Sequence, residues 1–419
     1  MLISASRIEV ATRWQVLAIS GTQVAALATW FSASAVSPAL QQEFQLGAGQ
    51  AALLTSSVQI GFVAGAVTSA ALNLPDRWNL PRLYGFSALL AAGCTALFPL
   101  LAHGATSAVL LRLLTGYFLA GVYPVGMKLM ASWAPPAIRG RAFGLLVAAL
   151  TIGSAVPHLI RGAERLPWHS VMLVAAAVAA TGGVVALTTL RTGPGYESRR
   201  QRLQVGYAIH MFRQRRARLA NVAYFGHMWE LYALWTWLPA YVLASQTARQ
   251  GSTGGLISLI CFTVIGVAGA LGCLVGGWAS DRVGRAPTAI VALVVSGACC
   301  LLSPLFFGAG TAVLTIYLLV WGCAVIADSG VFSTALSESV DTDHIGTALT
   351  TQTAVGFSLT VVTIQLVPVL ASWWSWQYAF VVLAAGPVVG VAAMARFRLT
   401  RAPSRGTSSA GSREQEGDA

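Results

Sequence analysis

The chain has 419 residues, of which 56% are hydrophobic and only 10% charged, with a mean hydropathy of +0.69. Soluble domains carry about a quarter charged residues, so this composition excludes a water-soluble globular protein and points to a polytopic membrane protein. The net charge of +12 calls for no nucleic-acid partner, because its distribution follows a membrane.

A membrane-crossing helix needs about 20 apolar residues. In chain order, spans are predicted at 14–38, 49–72, 83–102, 105–131, 140–161 and 168–190. After a polar gap they continue at 220–245, 253–278, 288–308, 311–336, 346–370 and 375–395. The first is too long for a signal-peptide core, and a cleavage alternative at Ala33 and Ala35 is disfavoured by that length. The 42 glycines and 13 tryptophans suit membrane helices, which tolerate Gly and anchor Trp at the interfaces. Cys94, Cys261, Cys273, Cys299, Cys300 and Cys323 all fall in apolar runs, without the spacing of a metal site or a disulfide framework. No metal and no cofactor are expected.

Counting Lys and Arg outside the spans gives 21 on the side of the N-terminus and 3 (Arg161, Arg165, Arg249) on the other. The positive-inside rule then predicts both termini in the cytoplasm, with the chain in the plasma or inner membrane. The gap at 191–219 holds eight arginines and one acid, Glu197. Val205, Ala208, Ile209 and Phe212 recur there at helical spacing, predicting an amphipathic helix on the anionic leaflet. A calmodulin-like or RNA-binding reading of the same run is unnecessary, since the charge bias accounts for it. The tail at 396–419, rich in Ser, Gly and charge from Pro403 onward, is expected to be disordered.

The chain repeats itself. Asp76-Arg77 follows span 2 and Asp281-Arg282 follows span 8, 205 residues apart. Gly140-Arg141-Ala142 opens span 5 and Gly346-Thr347-Ala348 opens span 11, 206 apart. Trp168-His169-Ser170-Val171-Met172 and Trp376-Gln377-Tyr378-Ala379-Phe380 open spans 6 and 12. The predicted architecture is all-α, with twelve transmembrane helices in two pseudo-symmetric six-helix bundles. These are an N-terminal bundle at 1–190, an Arg-rich cytoplasmic linker at 191–219 and a C-terminal bundle at 220–395. Halves of equal orientation are related by an axis along the membrane normal, which puts a binding site near the midplane between them and permits rocking about it.

These residues resemble the major facilitator superfamily of secondary transporters. Its loop of Gly, three residues, Asp-Arg, one residue, Gly and a basic residue is complete at Gly277-Trp278-Ala279-Ser280-Asp281-Arg282-Val283-Gly284-Arg285. The first half keeps Asp76 and Arg77, with Leu72 and Asn79 replacing the glycines and Arg82 following late. Asn tolerates the left-handed region better than most residues, so Asn79 is expected to preserve the turn. Arg112, Gly116 and Gly121 in span 4, and the connection from Trp133 to Ala142, also fit the family. The resemblance covers 14–395 and implies alternating access, with Asp76, Arg77, Arg139, Arg141, Gly277, Asp281, Arg282, Gly284 and Arg285 in the conformational gate. A drug/proton antiporter is the alternative: Gly144, Gly153 and Pro157 keep part of that group's span 5 motif, but Val156-Pro157-His158 departs from it. Nitrate carriers have an Arg in spans 2 and 8, and neither span here contains one.

Ionisable residues inside a membrane are functional candidates by default. Arg112 lies about two turns below the outer face of span 4 and is assigned to the cavity, with snorkelling to the interface as its plainer role. Glu230 falls near the midplane of span 7 with His227 one turn earlier, so the two are placed to share a proton. The alternative for Glu230 is a structural bond between helices. Asp328 in span 10 and Lys128 in span 4 fall toward the cytoplasmic ends, as gate or interface residues. His158 in span 5 lies at the depth of Arg112. Trp30, Gln59, Tyr123, Tyr232, Trp235, Gln352 and Gln365 are further cavity candidates, each with helix packing as the plainer role. Gly61-x3-Gly65 and Gly272-x3-Gly276 need only close helix approach.

The histidines are scattered and no His-Glu metal spacing occurs on one helix, so the chain is not expected to be an enzyme. No pore signature points to a channel, and no Gly-x4-Gly-Lys-Ser/Thr loop points to ATP hydrolysis. A transporter-derived sensor would read alike, although the tail is short for a signalling domain. The expected activity is proton-coupled transport, as in a symporter, of a small organic solute by a monomer in the lipid bilayer. Arg112, His158 and Lys128 favour an organic anion.

Overall fold

Each apolar run folds as helix in the computed structural model, which describes residues 2–135, 139–164, 166–196, 204–249, 255–341 and 344–400. Among these residues there is no strand. In the first half, span 1 is Leu2–Leu27 continued past a turn by Ser32–Ala35 and Ser37–Glu43. Span 2 is Ala48–Ala71, span 3 Leu80–Leu101, span 4 Ala105–Leu119 with Tyr123–Trp133, span 5 Arg139–Glu164 and span 6 Trp168–Thr189. In the second half, span 7 is Arg215–Ala248, and span 8 runs from Gly255 to Val283 through a π-helical stretch at Phe262–Ala268. Span 9 is Arg285–Phe306, span 10 Thr311–Ala324 with Ser329–Ser337, span 11 Ile345–Trp374, and span 12 runs from Trp376 to Arg398.

Ten of these helices are long and apolar enough to cross a membrane. Spans 1 and 7 complete the twelve; span 7 is less apolar because Asn221, His227, Glu230 and Gln246 interrupt it. Both also begin earlier than the apolar runs do, since helical turns outside the membrane still satisfy their backbone groups. Large apolar side chains such as Leu100, Ile316 and Leu305 point outward, 63–75% exposed, as a lipid-facing surface requires. Trp14, Trp78, Trp278, Trp373 and Trp374 are exposed near span ends, where interfacial Trp belongs.

The breaks in the helices repeat with the sequence. Span 4 is interrupted at 120–122 and span 10 at 325–328, close to the repeat offset. In span 1, Thr29 Oγ1 donates to Ala26 O and Ser32 Oγ to Thr29 O. Such side-chain bonds compete with the helical ladder, beside a run of bulky residues at Trp30 and Phe31.

Glycines set the closest approaches. A Cβ at Gly61 or Gly65 would meet the backbone of Leu113 or Tyr117, and one at Gly116 the backbone of Val58, so spans 2 and 4 pack backbone to backbone. Gly272 and Gly276 do the same for span 8 against Cys323 and Ala327 of span 10. Between halves, span 2 packs on span 11 and span 5 on span 8. The left-handed residue of the first-half loop is Asn73, with φ +52°, whereas Asn79 has φ −65° and caps span 3 by accepting from Arg82 N. The expected turn therefore moves six residues upstream. In the second half Gly284 takes φ +97°.

Candidate functional site

Span 7 carries Glu230 into the core of the second half, 1% exposed. Its carboxylate accepts from Ser296 Oγ at 3.0 Å, Cys300 Sγ at 3.3 Å and Trp321 Nε1 at 2.6 Å. These donors come from spans 9 and 10 and are neutral. Among the described residues, no basic side chain forms an ion pair with Glu230. A carboxyl group held this way can gain or lose a proton without breaking a salt bridge. Sequence spacing gave no sign of the three donors, which lie on other helices.

His227 does not pair with Glu230. Its Nδ1 lies 2.8 Å from Asp328 Oδ1, with both side chains 1–2% exposed. Asp328, expected near the gate, is instead buried because span 10 breaks just before it and turns the residue inward at the start of Ser329–Ser337. His227 Nε2 has no hydrogen-bond partner among the described residues. The imidazole packs against Phe332 and Tyr224.

Arg112, fully buried, crosses from span 4 to the break in span 1. Nη1 donates to Thr29 O at 2.9 Å and Ser32 Oγ at 3.0 Å, and Nη2 to Trp30 O. The guanidinium thus takes up carbonyls that the broken helix leaves without partners, while Nε has none. No carboxylate pairs with it among the described residues, so the cation stays uncompensated. His158 is buried with Nε2 unpartnered, and no hydrogen bond or ion pair joins it to Arg112.

Trp30 sits where the halves meet. Its ring is 5.0 Å from Phe62 of its own half and 6.0 and 5.7 Å from Tyr232 and Phe357 of the other. Phe62 and Phe357 are 4.7 Å apart, and Phe31 contacts Tyr232 and Trp235. Trp30 Nε1, Trp235 Nε1 and both amide atoms of Gln59 are buried without hydrogen bonds. Tyr123 is partly buried against the same core. Phe31, Phe62 and Phe357 were not legible as site residues, because an aromatic residue in an apolar run looks like any packing residue.

The loops at the end where span 1 begins form a separate network. Asp76 Oδ1 accepts from Lys128 Nζ at 2.9 Å and from Tyr196 Oη at 3.1 Å, tying the first-half loop to span 4 and to the segment after span 6. Arg285 reaches Ser280, Asp281 at 2.9 Å and Glu338 at 3.3 Å, the last on span 10. Arg282 instead stacks on Trp278, so the bridging cation is Arg285. Arg77 and Arg141 are exposed, and Gly277 has open space around its Cα. The side chain of Arg139 and the tail at 401–419 lie outside the described residues. Of the predicted linker helix, Val205–His210 is observed, with Tyr207 stacked on His344 at the start of span 11. Among the described residues no cluster of three or more His, Cys, Asp or Glu side chains is arranged for a metal ion.

The family profile of the Major Facilitator Superfamily matches residues 19–363. The chain is 24% identical to the niacin transporter NiaP of Acinetobacter baylyi over 327 residues, 68% of this chain and 69% of that protein. It is 32% identical to the D-galactonate transporter of Escherichia coli O6:H1 over 117 residues, 26% of each. Among solved structures it resembles the proton:xylose symporter XylE bound to 6-bromo-6-deoxy-D-glucose, with a TM-score of 0.69 at 15% identity, covering 92% of this chain and 96% of that one. The partially occluded inward-open form of XylE from E. coli gives a TM-score of 0.71 at 13% identity, covering 91% and 98%.

Proposed function

The chain belongs to the Major Facilitator Superfamily and is a multi-pass membrane transporter, and from that premise we propose that it couples inward proton movement to transport of a small organic anion by alternating access. Glu230 carries this reading. It is a deeply buried carboxylate held only by neutral donors, and an intramembrane ionisable group so placed marks a proton pathway. His227, one turn earlier on the same helix, pairs with Asp328 of span 10 as a second buried ionisable centre. The uncompensated Arg112 beside Trp30 favours a negatively charged solute. The protein works as a monomer in the plasma membrane, with the basic loops and both termini in the cytoplasm.

The test is accumulation of radiolabelled nicotinate, galactonate or xylose in proteoliposomes under an imposed pH gradient, with protein-free vesicles as control. Nicotinate or galactonate, the two anions, is expected to accumulate above the control, and an uncoupler should abolish the excess. Uptake that equilibrates and ignores the uncoupler for every solute would overturn the proton-coupled reading.

A further inference from the structure

Six aromatic rings line the seam between the halves: Trp30, Phe31 and Phe62 from the first, Tyr232, Trp235 and Phe357 from the second. Five of their ring contacts cross the seam, with centroids 4.7–6.1 Å apart. Ring-on-ring contact is worth about 0.5–1.5 kcal/mol beyond area burial. Rocking the halves apart would break these contacts on one side of the membrane and uncover the ring faces together. A planar aromatic ring restores stacking on both walls; a saturated ring or chain restores only part of it.

The polar atoms left over at this seam are mostly donors. Trp30 Nε1, Trp235 Nε1 and Gln59 Nε2 are buried and unpartnered, against a single acceptor, Gln59 Oε1. Gln59 lies one turn before Phe62 on span 2, so both share a helix face. Buried donors without partners are costly, and an acceptor-rich ligand relieves them. Each hydroxyl of a polyol would bring a donor of its own, against the one unpartnered acceptor at Gln59 Oε1. The field is also positive: Arg112 is fully buried, lacks a carboxylate partner among the described residues, and donates to the carbonyl of Trp30 itself. An aromatic cage can hold a cation on its ring faces, but the neighbouring Arg112 charge opposes one and no acidic side chain is among the cage residues to offset it.

We infer that the transported solute is an aryl carboxylate, a flat aromatic ring bearing a carboxylate, held between the Trp30–Phe62 and Tyr232–Phe357 walls with its oxygens on the indole and Gln59 N–H groups. The inference rests on the reading of the chain as an alternating-access carrier but requires no proton coupling.

The experiment is equilibrium binding to purified full-length protein in detergent, without a pH gradient, followed by tryptophan fluorescence and calorimetry. The probes are benzoate, nicotinate, cyclohexanecarboxylate and xylose. Benzoate or nicotinate should bind saturably and at least about tenfold more tightly than cyclohexanecarboxylate, which has the same charge but no aromatic face. Trp30→Phe and Trp235→Phe keep the ring stack and remove one N–H each; either should weaken the aryl acid several-fold. Equal affinity for the saturated acid, binding of xylose in preference to the aryl acids, or no saturable binding of either aryl acid would overturn the assignment. A carrier that moves galactonate with a pH gradient and ignores aryl acids would sink this inference while leaving the transport reading intact.

Discussion

His227 Nδ1 lies 2.8 Å from Asp328 Oδ1 in the core of the second half, joining span 7 to the break in span 10. Removing one member of a buried hydrogen-bonded pair strands the other and costs about 1–3 kcal/mol, whereas replacing both can be nearly neutral. His227→Gln and Asp328→Asn should each lower the melting temperature of the detergent-solubilised protein markedly. The double variant should cost clearly less than the sum of the two single losses, with a coupling energy of about 0.5–3 kcal/mol. Additive losses in the double-mutant cycle would show that the two residues do not act as a pair.

Arg112 holds the break in span 1 closed on Thr29, Trp30 and Ser32. A planar guanidinium serves several acceptors at once, and a lysine ammonium is a point charge on a flexible stem. Arg112→Ala should therefore reduce stability by about 3 kcal/mol or more by stranding buried acceptors, and Arg112→Lys should restore only a minor part. Thermal melting followed by size-exclusion chromatography reads both. Full recovery with Lys would mean that charge alone, without the forked geometry, supports the break.

Two adjacent glycines in span 8 give a matched pair. A Cβ on Gly276 would strike the carbonyl of Ala327, while one on Gly277 meets nothing within 4 Å. Overpacking costs about 1–3 kcal/mol, so Gly276→Ala should destabilise the fold and disturb the span 8–span 10 contact. Gly277→Ala should leave melting unchanged or raise it slightly, since Ala favours helix by about 1 kcal/mol. Equal melting of the two variants would contradict the packing.

Much of this architecture was legible because lipid imposes a simple rule: a helix must run about 20 apolar residues. The repeat of Asp76-Arg77 by Asp281-Arg282 then pointed to two halves. Helix direction and rotation were less legible. Glu230 and His227, three residues apart on one helix, looked like a pair, yet each turns to a different neighbour, Glu230 to Ser296, Cys300 and Trp321, and His227 to Asp328. A single-helix pattern carries no information on which neighbour faces which side. The break in span 10 was equally hidden, and it alone moves Asp328 from the expected gate into the core. The left-handed Asn73 was missed because the motif directed attention to Asn79, whose role is to cap span 3.

The central claim is that Glu230 carries the coupled proton. Glu230→Gln keeps the shape and an acceptor oxygen for Trp321 but removes titration. The decisive measurement compares this variant with the unaltered protein in two assays run on the same proteoliposomes, using whichever of nicotinate, galactonate or xylose accumulates under a pH gradient. One assay is gradient-driven accumulation; the other is counterflow of labelled against unlabelled solute with no gradient. The account predicts that Glu230→Gln loses accumulation, by tenfold or more, and retains counterflow within a few-fold. Accumulation at the unaltered rate would contradict it and remove Glu230 from the coupling mechanism.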